Sequence, residues 1–214
     1  LSNFAVLFIG LVLFSFFSHY VLTRDSVLAF VSHYSLIYTP VSWIYFFLWL
    51  IIFDGISYAT HVLYHTSRFF WMFHAVHHSD HNLDASTTIR VPIVSAFFTI
   101  TSFAFFSFLG ANPHLLSPIA QTIFFHQIIT HSFLFRNNVP QLFSYIFIIP
   151  SMHALHHTEK YSTKNYGFLF SFWDKIFGTH IPKKYEGENF GVALFSKTNN
   201  PFIVNVEPII HFFK

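Results

Sequence analysis

The feature that most constrains this chain is a run of 45 residues, 91–135, that contains no Asp, Glu, Lys or Arg. Only 9% of the whole chain is charged, whereas soluble domains carry about 25% charged residues. A run of this length suits two membrane-spanning helices of about 20 residues each. The four residues from Gly110 to Pro113 predict the turn between them, because Gly, Asn and Pro together favour turns.

Two further apolar runs precede this one. Residues 1–22 are uncharged, which favours a span over a signal peptide, whose apolar region runs only about 7–15 residues. Residues 26–53 are also uncharged and are interrupted by Pro40, so the strongest apolar core is Val41–Phe53. The helical pattern continues beyond this core to about His65.

These runs predict an all-α integral membrane fold with about four transmembrane helices and a cytoplasmic, histidine-rich helical cap. Pro140–Ile149 is expected to form a short interfacial helix, and the chain from Ser151 onward a polar tail that packs on the membrane face. We expect a single domain, 1–214. Its parts are the first two spans in 1–53, two histidine boxes in 54–90, a transmembrane hairpin in 91–135 and the cap with a third box in 136–214.

The basic residues predict the orientation of the chain. Four crossings put the N-terminus, residues 66–90 and the tail on one side, and every Lys and Arg except Arg24 lies there. The positive-inside rule makes that side cytoplasmic. The net charge of +2 is too small to indicate nucleic-acid binding, and the absence of cysteine excludes disulfides, thiolate metal sites and cysteine nucleophiles.

Histidine is unusually abundant, with 16 residues, and it is crowded into short boxes. A random chain of this composition would contain about 0.09 copies of His-x-x-His-His, and this one contains two. Spacings of three or four residues stack side chains on one helical face, so each box is expected to aim its imidazoles at one point. Neutral imidazole suits Fe, Zn, Cu and Ni. The boxes consist of His61 and His65; His74, His77 and His78; and His153, His156 and His157.

The residues before the first box extend its helical stripe. Asp54 and Tyr58 share a face with His61 and His65. An acid at the point where a membrane helix emerges is costly and usually functional, so Asp54 is expected to accept a hydrogen bond from a ligand imidazole or a neighbouring Tyr. The alternative is an ordinary acid at a helix boundary.

Histidines outside the boxes have weaker assignments. His131, near the end of the fourth predicted helix, is expected to be a ligand, because lipid is a poor environment for imidazole. His126 is a candidate tenth ligand or a packed polar residue, and His81, in a turn-like stretch, is expected not to be a ligand. The isolated residues His19, His33, His114 and His211 are interpreted as structural or interfacial, and His180 stays unassigned.

The order and spacing of the three boxes resemble the fatty acid hydroxylase/sterol desaturase superfamily, and are most similar to its branch of alkylglycerol monooxygenase and bacterial relatives. Met152 departs from that branch, which often has an additional histidine there. The flanking motifs that carry the resemblance are Asp54-x-x-x-Tyr58-x-x-His61, Trp71–Ser79, Thr87–Arg90, Ile129–His131, Pro150–His157, Asn165–Gly167 and Trp173–Thr179.

The resemblance implies two iron ions that activate O2 and oxidise a C–H bond of a lipid, with hydroxylation favoured over desaturation and no catalytic residue beyond the metal site. It implies the ligands His61, His65, His74, His77, His78, His131, His153, His156 and His157. Ligand histidines usually donate their other N–H to a carboxylate or carbonyl, so Asp54, Asp84 and Asp174 are candidates to support them. Asp84 and Asp174 are equally interpretable as turn or cap residues. Tyr58, Arg90, Asn165 and Trp173 are supporting positions by resemblance alone.

Electrons must come from a separate donor, which in this superfamily is cytochrome b5, ferredoxin or a reduced pterin. Zinc is expected to replace iron in overproduced protein, since imidazole sites accept both. The short chain without cysteine favours a bacterial inner membrane, or the ER membrane in a eukaryote.

Three other classes stay open at this point. A b-type cytochrome would use isolated histidines such as His126 and His131 in the membrane interior. A zinc hydrolase needs about three protein ligands and usually a glutamate base beside them. The third class is a non-catalytic metal-binding or metal-transport protein.

Overall fold

The computed structural model describes residues 33–37, 39–92, 95–192 and 200–213. The predicted first span, 1–22, lies outside the described residues, as do His19 and Arg24.

Within these ranges the chain is helical. The α-helices are α1 (Trp43–Thr66), α2 (Arg68–His78), α3 (Ser95–Leu109), α4 (Pro113–His131), α5 (Pro150–His156), α6 (Phe172–Ile176) and α7 (Pro201–Phe212). Short 3-10 helices cover Ala85–Ile89, Phe133–Phe135, Gln141–Tyr145 and Glu159–Tyr161. Among the described residues the only β-type pairing is two isolated bridges. The predicted all-α class is therefore confirmed for this part of the chain.

Among the described helices, α1 alone is both long and apolar enough to cross a membrane. Large apolar side chains are exposed near its start, among them Trp43 and Ile44. The helix continues without a break to Thr66, as the pattern up to His65 predicted. One element therefore carries both an apolar segment and the first histidine box.

The described residues form two compact units. Unit 1 contains those up to Phe53 together with 95–124, and unit 2 contains those from Asp54 to 92 and from Phe125 onward. All three histidine boxes and the tail belong to unit 2. The interpretation of 1–214 as one domain stays a prediction.

In unit 1, the predicted joint between two helices is confirmed: α3 ends at Leu109 and α4 begins at Pro113. Gly110 has a φ of 110°, and a Cβ atom on it would lie 2.0 Å from the carbonyl oxygen of Ile37. Only glycine fits such a position. The hydroxyl of Thr39 donates to the Gly110 carbonyl at 2.7 Å, which fixes this turn.

In unit 2, Asp54 ties α1 to the segment that follows the third histidine box. Its carboxylate is fully buried and accepts hydrogen bonds from the backbone N–H groups of Leu169 at 2.8 Å and Phe170 at 3.1 Å. The indole Nε1 of Trp173 donates to the same carboxylate at 3.0 Å. The expected bond from an imidazole or Tyr to Asp54 is therefore wrong. The reason is that buried, non-helical backbone N–H groups need acceptors, and this carboxylate supplies them.

The tail differs in detail from its prediction. The expected interfacial helix Pro140–Ile149 is a 3-10 helix limited to Gln141–Tyr145, which exposes 73% of Leu142. Further along, α7 packs on α2, and the guanidinium of Arg68 donates to the carbonyl of Phe212 at 2.9 Å. The tail therefore folds back on the helix that carries the second histidine box.

Replacing Asp54 by Asn tests the anchoring role of this carboxylate. Asn keeps one acceptor oxygen but turns an NH2 group toward backbone donors, so unfolding in detergent should be easier by about 2–4 kcal/mol. Thermal unfolding followed by near-UV circular dichroism measures the change. Glu159→Gln, which removes the same charge from an exposed position, is the control and should leave the midpoint unchanged. An unaltered midpoint for Asp54→Asn would contradict the anchoring role.

Candidate metal centre

Four helices of unit 2 present the nine predicted ligand histidines. Helix α1 carries the first box near its end, α2 carries the second box in its last two turns, and α5 and its C-terminal cap carry the third. His131 is the last residue of α4. The structure brings all nine side chains together, in two clusters whose candidate ligand nitrogens lie within 4.8 Å of one another in each cluster.

Cluster A consists of His61, His65, His74, His78 and His156. The Nε2 atom of His61 lies 2.9 Å from that of His74 and 3.1 Å from that of His156. The Nε2 atoms of His74 and His78 are 3.2 Å apart. His65 completes the cluster, with its ring centroid 4.7 Å from those of His78 and His156, and its buried Nε2 has no hydrogen-bond partner among the described residues.

Cluster B consists of His77, His131, His153 and His157. The Nε2 atom of His131 lies 3.1, 3.2 and 3.0 Å from those of His77, His157 and His153. The Nε2 atoms of His153 and His157 are 3.1 Å apart. Four nitrogens thus converge on one small volume.

The spacing of these nitrogens fits metal coordination. Two nitrogens bound to one ion at about 2.0–2.1 Å are about 2.8–3.4 Å apart for angles from about 90° to the tetrahedral angle. The shortest Nε2 separations in both clusters, 2.9–3.2 Å, fall in that range.

The tautomers of His61 and His156 determine whether the short contact between their Nε2 atoms can be a hydrogen bond. The Nδ1 of His61 lies 2.7 Å from the carbonyl oxygen of Tyr166, and that of His156 lies 2.7 Å from the carbonyl oxygen of Lys164. A carbonyl oxygen only accepts, so each Nδ1 carries the hydrogen and each Nε2 of a neutral ring carries a lone pair. These two lone pairs face each other at 3.1 Å. They cannot hydrogen-bond, and a shared cation is what relieves their repulsion.

Cluster B contains one ring fixed in the same way. The Nδ1 of His131 donates to the carbonyl of Gln127, one turn earlier in α4, at 2.7 Å. Its Nε2 lone pair therefore points at the Nε2 atoms of the other three histidines. The donor set of both clusters is thus neutral imidazole, which suits Fe, Zn, Cu and Ni.

Burial keeps these rings neutral. In cluster A, burial and then repulsion among the neighbouring histidines lower the pKa of His74, His78 and His156 well below 6.5. In cluster B, burial lowers the pKa of His77 to about 4. At neutral pH the lone pairs are therefore available to a metal ion without a proton having to leave.

The boxes do not map one to one onto the clusters, contrary to the expectation that each box aims at one point. His74 and His78 lie in cluster A while His77 lies in cluster B, and the third box is divided in the same way, with only His156 in cluster A. The cause is helical geometry. Residues four apart share a face, whereas adjacent residues point about 100° apart. Each His-His pair therefore serves both clusters.

The remaining histidines lie outside both clusters within the described part of the chain. His126 is one of them, although it precedes His131 by only five residues in α4. The Nδ1 of His81 contacts the carbonyl of Ser79 at 3.0 Å, in line with the expectation that it is not a ligand. His33, His114, His180 and His211 are likewise outside.

The three acids predicted to support ligand imidazoles accept hydrogen bonds from other groups instead. Asp84 caps the 3-10 helix Ala85–Ile89 by accepting from the N–H of Ser86, which is the cap alternative. Tyr58 shares a hydrogen bond with Thr179 at 2.8 Å. The guanidinium of Arg90 donates to Ser79 at 3.1 Å. Trp173 donates to Asp54. Asn165 and Asp174 hold the segment that contains Lys164 and Tyr166.

Sequence reasoning missed the groups that orient the rings, which are the backbone carbonyls of Gln127, Lys164 and Tyr166. A carbonyl occurs at every position, so no residue type reveals it. The one available signal is the Asn165-Tyr166-Gly167 motif that follows the third box.

Comparison with known proteins gives consistent matches. The family model described as fatty acid hydroxylase matches residues 46–179. Alkylglycerol monooxygenase of Caenorhabditis elegans is 30% identical over 69% of the chain and 28% of its own length. Alkylglycerol monooxygenase of Xenopus tropicalis is 26% identical over 74% of the chain and 36% of its own length. Ornithine lipid hydroxylase OlsE of Rhizobium tropici is 29% identical over 64% of the chain and 42% of its own length.

The chain thus spans well under half the length of these relatives, and no solved structure matches it. The family match covers more than half of the chain and includes all three boxes and His131. The resemblance inferred from the boxes is confirmed, and the chain belongs to the fatty acid hydroxylase family.

Proposed function

We propose that this chain is a membrane-embedded oxygenase that uses O2 to hydroxylate a C–H bond of a lipid at two iron ions, one in each histidine cluster. The observation that carries the proposal is the pair of facing lone pairs on His61 and His156, 3.1 Å apart. Such an arrangement is stable only with a cation between the nitrogens.

The nine histidines divide the work of holding the ions. In this proposal the five imidazoles of cluster A hold one ion and the four of cluster B hold the other. The two irons, when bound, supply O2 activation and C–H oxidation. The chain itself contributes neutral nitrogen ligands, fixed ring orientations through three backbone carbonyls, and a largely buried site.

The names of the relatives and the shape of α1 support a lipid substrate. The matched proteins are named for alkylglycerol and for ornithine lipid. Helix α1 exposes 77% of Trp43 and 79% of Ile44 near its start and bears His61 near its end. One continuous helix thus carries exposed apolar side chains, which suit a lipid environment, and a ligand of cluster A.

We further propose four membrane crossings, with the clusters on the cytoplasmic side of a bacterial inner membrane, or of the ER membrane in a eukaryote. The charge distribution supports this orientation, because every basic residue but Arg24 falls on one side. Electrons would come from a separate donor, either cytochrome b5, ferredoxin or a reduced pterin.

A desaturase of the same superfamily is the nearest alternative, since the same metal site would serve both reactions. A b-type haem protein is favoured less, because His131 lies among three other histidines of cluster B instead of facing one partner across a haem. The nine-histidine donor set also argues against a zinc hydrolase, which needs about three protein ligands and an open position.

Replacing His131 by Ala tests the metal assignment. Iron in detergent-purified protein from iron-rich, zinc-poor medium should fall from about two ions per chain to about one, because cluster B loses its central ligand. His81→Ala removes a histidine outside both clusters and should keep the wild-type content. Elemental analysis of both variants measures this. Equal iron in His131→Ala and wild type would contradict the assignment of cluster B.

The proposed reaction predicts the fate of molecular oxygen. Iron-loaded protein given a reductant, 18O2 and either an alkylglycerol or an ornithine lipid should release a lipid product that contains one oxygen-18 atom. Mass spectrometry detects it, and His131→Ala should lower its formation by at least about 100-fold. A product that has lost two hydrogens and gained no oxygen would favour the desaturase. No oxygen-dependent product from iron-loaded protein would contradict hydroxylation of these lipid classes.

A further inference from the structure

We propose that Asp174 is a positioning residue that controls metal occupancy of cluster A but not of cluster B. The inference rests on the proposed function, since it assumes that both clusters hold metal. It extends that proposal by assigning a distinct role to a carboxylate that touches no ligand histidine.

Asp174 holds a short stretch of backbone. It is fully buried in α6, where its Oδ1 accepts from the N–H of Tyr166 at 2.7 Å and its Oδ2 from the N–H of Gly167 at 2.9 Å. The hydroxyl of Thr179 donates to Oδ1 at 2.6 Å. Charge-assisted hydrogen bonds of this kind are about twice as strong as neutral ones, so the carboxylate fixes the position of these two peptide groups.

The same stretch orients two ligands of cluster A. The carbonyl of Tyr166 accepts from Nδ1 of His61, and that of Lys164 accepts from Nδ1 of His156, both at 2.7 Å. These are the two rings whose lone pairs face each other. Asp174 therefore acts on both of them through one segment of backbone, 164–167.

Asn165, between the two carbonyls, shows that this segment is held in an unusual conformation. Its φ of 54° lies in the left-handed region, which Asn tolerates better than other non-glycine residues because its short polar side chain can hydrogen-bond nearby. Its side chain is buried and accepts from the N–H of Ile181 at 2.9 Å while donating to the carbonyl of Met152 at 3.3 Å. The segment is therefore held from both sides, by the Asn165 side chain and by the two hydrogen bonds that Asp174 accepts from Tyr166 and Gly167.

Cluster B does not depend on this segment. In cluster B, the Nδ1 of His131 donates to the carbonyl of Gln127 in the same helix, and the backbone groups recorded near His77 belong to Thr87 and Arg90, not to residues 164–167. The Nδ1 atoms of His153 and His157 are buried without a hydrogen-bond partner among the described residues. Loosening 164–167 should therefore disturb the nitrogens of cluster A selectively.

The test compares Asp174→Asn with Asp84→Asn in otherwise intact, detergent-purified protein. Asp84 makes a similar set of bonds, to the N–H and hydroxyl of Ser86, but in a 3-10 helix that contributes no carbonyl to cluster A. Bound iron is measured at graded concentrations of a chelator. Asp174→Asn should release one ion at chelator concentrations about 10–100-fold lower than wild type, as is typical when a group that orients a ligand is lost. Asp84→Asn, whose 3-10 helix borders His77 of cluster B, should retain the cluster A ion at the wild-type chelator concentration.

A double variant identifies which ion remains. Adding His131→Ala to Asp174→Asn should remove the ion that the single variant retains, because that ion belongs to cluster B. A second variant, Thr179→Val, deletes only one donor to Asp174 and should shift the release of the same ion in the same direction by a smaller factor. It also keeps the test usable if Asp174→Asn fails to fold.

The outcomes separate this inference from the proposed function. Wild-type protein with two ions and Asp174→Asn with unchanged release would overturn the role of Asp174 alone. Loss of both ions together in Asp174→Asn, or equal loss of the cluster A ion in Asp84→Asn, would overturn the selectivity for cluster A. Wild-type protein that binds no iron when loaded would overturn the proposed function itself.

Discussion

Nine converging imidazoles, seven of them buried, are the constraint on which the rest of unit 2 depends. Burial lowers the pKa of rings such as His77 and His156, so they cannot relieve their crowding by taking up protons near neutral pH. Backbone carbonyls fix the N–H of His61, His131 and His156 on the far side of each ring, which leaves only lone pairs inside. Facing lone pairs are unfavourable contacts without a cation, and the proposed metal ions would turn them into coordination bonds. Metal binding and folding of this unit are therefore expected to be coupled.

Two buried carboxylates connect this centre to the rest of the fold. Asp54, at the middle of α1, accepts hydrogen bonds from the backbone N–H groups of Leu169 and Phe170, more than 100 residues later in the sequence. Asp174 accepts hydrogen bonds from those of Tyr166 and Gly167. Between them they restrain the stretch that follows the third box against the helix that carries the first. The first and third boxes, far apart in sequence, are held near each other in this way. The backbone N–H groups of residues 166–170 donate to Asp54 in α1 and to Asp174 in α6.

Much of the centre was predictable because the ligand chemistry requires a particular residue type. The three boxes and His131 were identified from histidine spacing and family resemblance, and the structure brings them together. The joint at Gly110 was predictable because the backbone there needs a residue without a side chain. The division of each His-His pair between clusters was missed, since spacing within one helix does not show which neighbouring helix each face meets. The role of Asp54 was also misjudged: a helical stripe shows that it shares a face with His61, but its backbone partners come from a distant, irregular segment.

X-ray absorption spectroscopy at the iron edge of the purified, iron-loaded protein reports the atoms bound to the metal and so tests the dinuclear histidine site itself. We expect nitrogen or oxygen ligands at about 2.0–2.2 Å with the multiple scattering of several imidazoles, in a sample holding two irons per chain. The spectrum of a porphyrin, or a protein that remains iron-free under loading while folded, would contradict it.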